Sequence, residues 1–178
     1  MATDNQDEAA VNIETLWAVH SGVQQHVRLA DTKAGFIAGL NTLMVGFLAP
    51  QLDGLIEAAS EPTLVACIAS VMLVAYGLST AASFGLVLAA VISRLGERAP
   101  RCRIFFGHIA ASYGRDYARY HDEICKLSDA EWAKDISSQI VENAHIASTK
   151  HRLIAFAAYT TAFALVFWGG TVLALAFI

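Results

Sequence analysis

The chain has 178 residues, of which 56% are hydrophobic and 16% charged, with a net charge of −4. A soluble helical bundle does not fit this composition, because three stretches of the chain run for 16 residues or more with no Lys, Arg, Asp or Glu inside them. Cys67, Cys102 and Cys125 show no C-x-x-C spacing, so neither a disulfide nor a zinc site is expected.

The first 33 residues are polar and start acidic, with no basic n-region ahead of the apolar run, and a signal peptide is not expected there. From Ile13, the positions Leu16, Trp17, Val23 and Val27 recur at helical spacing, which predicts an amphipathic helix from about Asp7 running straight into the first span. The span itself covers residues 34–50. Pro50 removes a backbone donor, so the combined helix is expected to stop near Ala49, about 40 residues or about 60 Å from its start.

Residues 51–61 form a loop with Asp53, Glu57 and Glu61 and no basic residue. The second span occupies 62–93, with Pro62 in the first helical turn and no breaker before Gly96 and Pro100, which predicts a helix reaching beyond the bilayer. Residues 94–152 are polar. They read as a helix interrupted near Gly107 and Gly114, with Tyr113, Tyr117, Tyr120 and Ile124 as packing residues, followed by the capping box of Ser128 and Glu131. The helix opened by that box carries the stripe Trp132, Ile136, Ile140 and Ile146 to the third span, 153–178.

A bilayer core takes about 20 apolar residues as helix, and backbone groups cannot be left unpaired in lipid. With no period-two alternation to suggest a barrel, the fold class expected is an all-α integral membrane protein. Three transmembrane helices would carry long helical extensions that form a small bundle. All twelve Lys and Arg lie on one side of the spans. By the positive-inside rule the N-terminal segment 1–33 and residues 94–152 are expected to be cytoplasmic, while the loop and the C-terminus are external.

The densest chemical signal is Arg28-Leu29-Ala30-Asp31-Thr32-Lys33, where the first helix enters the membrane. Asp31 follows Arg28 by three residues and can pair with it, leaving Lys33 for a headgroup, a partner helix or an anion. Lys150, His151 and Arg152 lie at the matching depth on the third helix, and Arg94 on the second completes a basic ring. Such a ring holds the orientation against anionic lipid, or receives a phosphate on Arg fork donors. His108, His121, His145 and His151 lack the i, i+4 pairing of a zinc helix, so no metal is expected.

Within the spans, Gly35 and Gly39 form G-x-x-x-G, continued by Thr42 and Gly46, and Gly77, Ala81 and Gly85 recur at intervals of four. These are helix-packing positions, within one chain or between subunits of a homo-oligomer. Asn41, Ser70, Ser79, Thr80 and Ser83 are polar at depth, suited to interhelical hydrogen bonds or to lining a pore. No nucleophile, base or carboxylate pair falls at helix-compatible spacing, so the chain is read as having no catalytic residues and no cofactor.

The motifs H-V-R-L-A-D-T-K-A-G-F at 26–36, R-I-F-F-G-H-I-A at 103–110, L-S-D-A-E-W at 127–132 and Q-I-V-E-N-A-H-I-A-S-T-K-H-R at 139–152 resemble, in order and spacing, the transmembrane effector family of Pycsar, the pyrimidine cyclase system for antiphage resistance. The resemblance runs from about Trp17 to the end. It implies an effector that responds to cCMP or cUMP from a cognate cyclase, oligomerises, and impairs the inner membrane so that infection aborts. No family motif assigns ligand contacts. On chemistry alone the candidate nucleotide-binding residues are Arg28, Asp31, Lys33, Lys150 and Arg152, with a Tyr or Trp to stack on the base. The partners implied are the lipid bilayer, the cyclic mononucleotide and further copies of the chain, with no nucleic acid. A non-catalytic membrane scaffold, or an accessory subunit of a channel or transporter, is the alternative reading.

Overall fold

The computed structural model describes residues 12–54, 56, 63–92 and 102–176. Helix α1 spans Ile13–Leu48, α2 Leu64–Val91, α3 Phe106–Tyr113, α4 Tyr117–Ile124 and α5 Asp129–Leu175, and no strand occurs among the described residues. α1, α2 and α5 are each long and apolar enough to cross a bilayer. The protein is therefore an all-α membrane protein with three spanning helices, the class expected from its sequence.

α1 opens at Asn12, whose side-chain oxygen accepts the Thr15 N–H at 3.2 Å; residues 7–11, where the sequence places its start, lie outside the described residues. The regular α-helix ends at Leu48, one residue from the expected stop, but Pro50 only tightens the chain into the 3-10 turn Ala49–Gln51, and residues 52–54 are helical again, so the apolar helix runs on to Gly54. At 1.5 Å per residue the 36 residues of α1 measure about 54 Å, and the 47 of α5 about 70 Å. Both exceed the roughly 30 Å of a hydrocarbon core, so each carries a polar extension.

α2 is shorter than its sequence suggests. Thr63 caps it, accepting the Ala66 N–H at 3.2 Å, and it ends at Val91 because Ile92 turns extended. Its 28 residues make about 42 Å.

Two further expectations are corrected. Gly107 lies inside α3 and interrupts nothing, while the break falls at Gly114, whose φ of +56° suits glycine. Tyr117 is not a packing residue, since it is 84% exposed at the first position of α4. The capping box forms as read: the Glu131 carboxylate accepts from the Ser128 N–H at 2.9 Å and the Ser128 hydroxyl at 2.8 Å, and Ser128 Oγ accepts the Glu131 N–H at 3.4 Å. α5 then continues unbroken through 47 residues.

Packing divides the chain into two units, Met1–Val27 with Leu95–Ala147, and Arg28–Arg94 with Ser148–Ile178. The second is the membrane unit. One layer of its core comprises Ala30, Ala34 and Ile37 of α1, Val87 and Ala90 of α2, and Ile154 and Ala157 of α5. A second layer centres on Met44, Leu48, Tyr76 and Ala164. Four alanines among the seven residues of the first layer bring the backbones close, which lipid rewards because packing rather than water exclusion drives association there. Facing outward, Phe36 and Leu43 are 74% exposed and Leu78 is 69% exposed, an apolar surface suited to acyl chains.

Candidate functional site

Between the two core layers the three spanning helices meet in a polar cluster. The amide nitrogen of Asn41 lies 3.0 Å from Ser83 Oγ, 2.9 Å from Thr161 Oγ1 and 3.0 Å from the Ile37 carbonyl of its own helix. The two hydroxyls are 2.7 Å apart, and Ser83 Oγ also reaches the Ala157 carbonyl at 3.3 Å. Asn41 and Ser83 are fully buried and Thr161 nearly so. Asn41 and Ser83 are thus interhelical hydrogen bonders, as their depth suggested, whereas Ser70 and Ser79 donate back to Ala66 and Ala75 of α2 itself. Thr161, the third member, was not singled out from the sequence.

Where α1 and α5 enter the apolar layer, Lys150 Nζ lies 2.6 Å from Asp31 Oδ1. The lysine is buried and the aspartate half-exposed. This replaces the expected pairing of Asp31 with Arg28. A local i, i+3 contact yields here because a buried ammonium needs its counter-ion more than an exposed guanidinium does. Arg28, Lys33 and Arg152 are exposed, and Arg94 lies outside the described residues. Of the five candidate nucleotide contacts the fold joins two, Asp31 and Lys150.

The small-residue positions Gly35, Gly39, Gly46, Gly77, Ala81 and Gly85 are all exposed, and a Cβ built on any of the five glycines would meet nothing within 4 Å. Contacts within this chain use the alanine-rich layer instead.

The polar unit holds a feature that the sequence did not disclose, a cavity of about 260 Å³ lined by Cys102, Arg103, His108, Ser112, Tyr113, Arg119 and Glu123. Three kinds of contact shape it. Arg103 is anchored by Asp135, which accepts from its Nε at 2.8 Å and from its backbone N–H at 3.2 Å; this pairing raises the guanidinium's pKa above its ordinary value and keeps it charged. His108 Nδ1 accepts the Cys102 N–H at 3.0 Å, so a neutral ring carries its proton on Nε2. Tyr113 packs edge-on against Tyr120 at 5.1 Å and lies beneath the Arg119 guanidinium at 5.6 Å. Burial first, then the Glu123 carboxylate that accepts its hydroxyl, raises the Tyr113 phenol's pKa and keeps it protonated.

Helical periodicity could have flagged Arg119 and Glu123, which are four apart on α4. The Arg103–Asp135 pairing joins residues 32 apart and leaves no local pattern.

The architecture defines an integral membrane protein whose first and third spanning helices continue into polar helical segments. Residues 15–178 match the Pycsar effector protein domain family, PycTM, and the chain belongs to it. No curated protein and no solved structure matches. Membership assigns the protein a role in Pycsar antiphage defence.

Proposed function

We propose that the protein is a non-catalytic effector of a Pycsar system, activated by cCMP or cUMP from a cognate cyclase to oligomerise and impair the bacterial inner membrane, causing abortive infection. The observation that carries this reading is a family match over nearly the whole chain, on helices that span a membrane and continue into polar segments. The one-sided Lys and Arg distribution supports a cytoplasmic N-terminus and an external C-terminus. Oligomerisation is supported by Gly35, Gly39, Gly46, Gly77, Ala81 and Gly85, whose open faces suit a second copy. Three spans enclose little aqueous space, so damage by one chain alone is disfavoured. α1 and α5 each run without a break from the polar segments into the spans, which supports a route by which ligand binding alters helix packing.

The test is co-expression with an active pyrimidine cyclase while membrane potential is followed with a voltage-sensitive dye. Depolarisation and arrested growth are expected. Unchanged potential and growth, with both proteins present and the nucleotide measured in the cells, overturns the reading.

A further inference from the structure

We propose that the cavity between Arg103, Arg119 and Glu123 is the ligand site, and that it takes a small phosphate diester of single negative charge bearing a flat ring with N–H donors. On the reading above, on which this rests, that ligand is the cyclic pyrimidine mononucleotide.

The size is the first argument. About 260 Å³ falls just under the roughly 300–1,000 Å³ of drug-sized pockets. It suits one mononucleotide rather than a dinucleotide.

Charge is the second. Arg103 and Arg119 are opposed by Asp135 and Glu123, so the walls are close to neutral overall. A wholly cationic pocket would take any anion, and the more highly charged the better. Here Glu123 disfavours a dianionic phosphomonoester and tolerates a monoanion. A 3′,5′-cyclic phosphate is a diester with one negative charge, whereas a 5′-monophosphate carries nearly two at neutral pH.

Donor geometry is the third. Asp135 holds Arg103 through Nε, which leaves the terminal nitrogens of the guanidinium to fork onto phosphate oxygens. His108 offers an uncharged Nε2–H, and the Ser112 hydroxyl lines the same space. For the ring, the Arg119 guanidinium, backed on its other side by Tyr113, is the stacking surface, and Glu123 accepts N–H from a base edge. Cytosine presents an exocyclic amine there and uracil a ring N–H.

At the membrane boundary Lys150 is committed to Asp31.

The test uses the full chain in lipid nanodiscs, titrated calorimetrically with cCMP, cUMP, cAMP, 5′-CMP and inorganic phosphate. The wild type is expected to bind a cyclic pyrimidine nucleotide about tenfold or more tighter than 5′-CMP or phosphate. Arg119→Ala, at an exposed position, is expected to weaken this by about tenfold or more. Arg119→Lys, which keeps charge and stem but loses the fork, should weaken it severalfold and serves if the alanine variant misfolds. Glu123→Ala should narrow the preference for cCMP over 5′-CMP. Lys33→Ala and Arg152→Ala should bind as the wild type does. Wild-type binding that survives Arg119→Ala and Glu123→Ala but fails in Lys33→Ala moves the site to the membrane boundary, overturning this proposal alone. A wild-type preference for 5′-CMP or phosphate also overturns it. No binding of any cyclic nucleotide overturns both this proposal and the function on which it rests.

Discussion

The buried ammonium of Lys150 sits 2.6 Å from the half-exposed carboxylate of Asp31, so the two partners of one ion pair inhabit different dielectrics. Removing either is therefore unequal. Asp31→Asn strands a charge that has little water around it, and is expected to cost about 2 kcal/mol. Lys150→Met fills the same space with an apolar side chain and leaves a carboxylate that water can reach, so its cost should be well under half of that. Equilibrium unfolding in mixed micelles reads both. Equal losses would mean that the lysine is solvated and the pair ordinary.

Asn41 ties α1 to α2 and α5 together through two hydroxyls that also bond each other. Asn41→Ala leaves Ser83 and Thr161 paired, which limits the damage. Interhelical hydrogen bonds in membranes average about 0.6 kcal/mol and reach about 1.7, so a loss of about 1 kcal/mol is expected. Ser83→Ala, which leaves the Asn41–Thr161 contact, should cost less. Losses that add in the double variant Asn41→Ala with Ser83→Ala would show that the cluster does not act as a unit.

The capping box of Ser128 and Glu131 and the disturbance of the helix at Pro50 are legible because each depends on residues within one turn of each other. Span number was equally plain, since lipid leaves helices few alternatives. What escaped were contacts made across the chain. Spacing offered Asp31 a neighbour in Arg28, and only the packing of α5 beside α1 brings Lys150, 119 residues away, into reach. Thr161 sits beside Thr160 in an apolar run, and only the packing of its face of α5 against α1 gives it a partner in Asn41. The cavity needs the turn at Gly114, which folds α4 back against α3 and lets Ser112 and Tyr113 share a wall with Arg119 and Glu123. G-x-x-x-G spacing marks the five open glycines as packing sites but does not say which surface a helix turns inward.

His20 is buried in the polar unit, where burial lowers its imidazole pKa below the ordinary 6.5. The Asn143 amide lies 3.3 Å from Nε2, an arrangement that needs that nitrogen unprotonated. Above about pH 6.5 neither the folded nor the unfolded chain protonates the ring, and its contribution is constant. As pH falls below that value the unfolded chain takes up a proton that the folded chain refuses until its own lower pKa. Stability therefore drops across that window and levels out beneath it. Thermal unfolding followed by circular dichroism should show a lower Tm at about pH 5.5 than at about pH 7.5, and His20→Gln should flatten the difference. A slope unchanged in the variant would assign the effect to another group.

Gly39 and Gly85 have room for a side chain within this fold, since an added Cβ meets no atom within 4 Å at either position. Gly39→Leu and Gly85→Leu should leave the unfolding of an isolated chain unchanged, or raise it by up to about 1 kcal/mol through helix propensity. Between copies the same leucines would hold the helices apart, because close approach in lipid depends on small residues at the crossing. Cross-linking in membranes should then yield fewer oligomers, and depolarisation on co-expression with the cyclase should weaken in parallel. Cross-linking and depolarisation both at wild-type levels would show that copies meet on another face. Loss of depolarisation with oligomers intact would separate assembly from damage, and would assign these glycines to the helix movement that follows ligand binding.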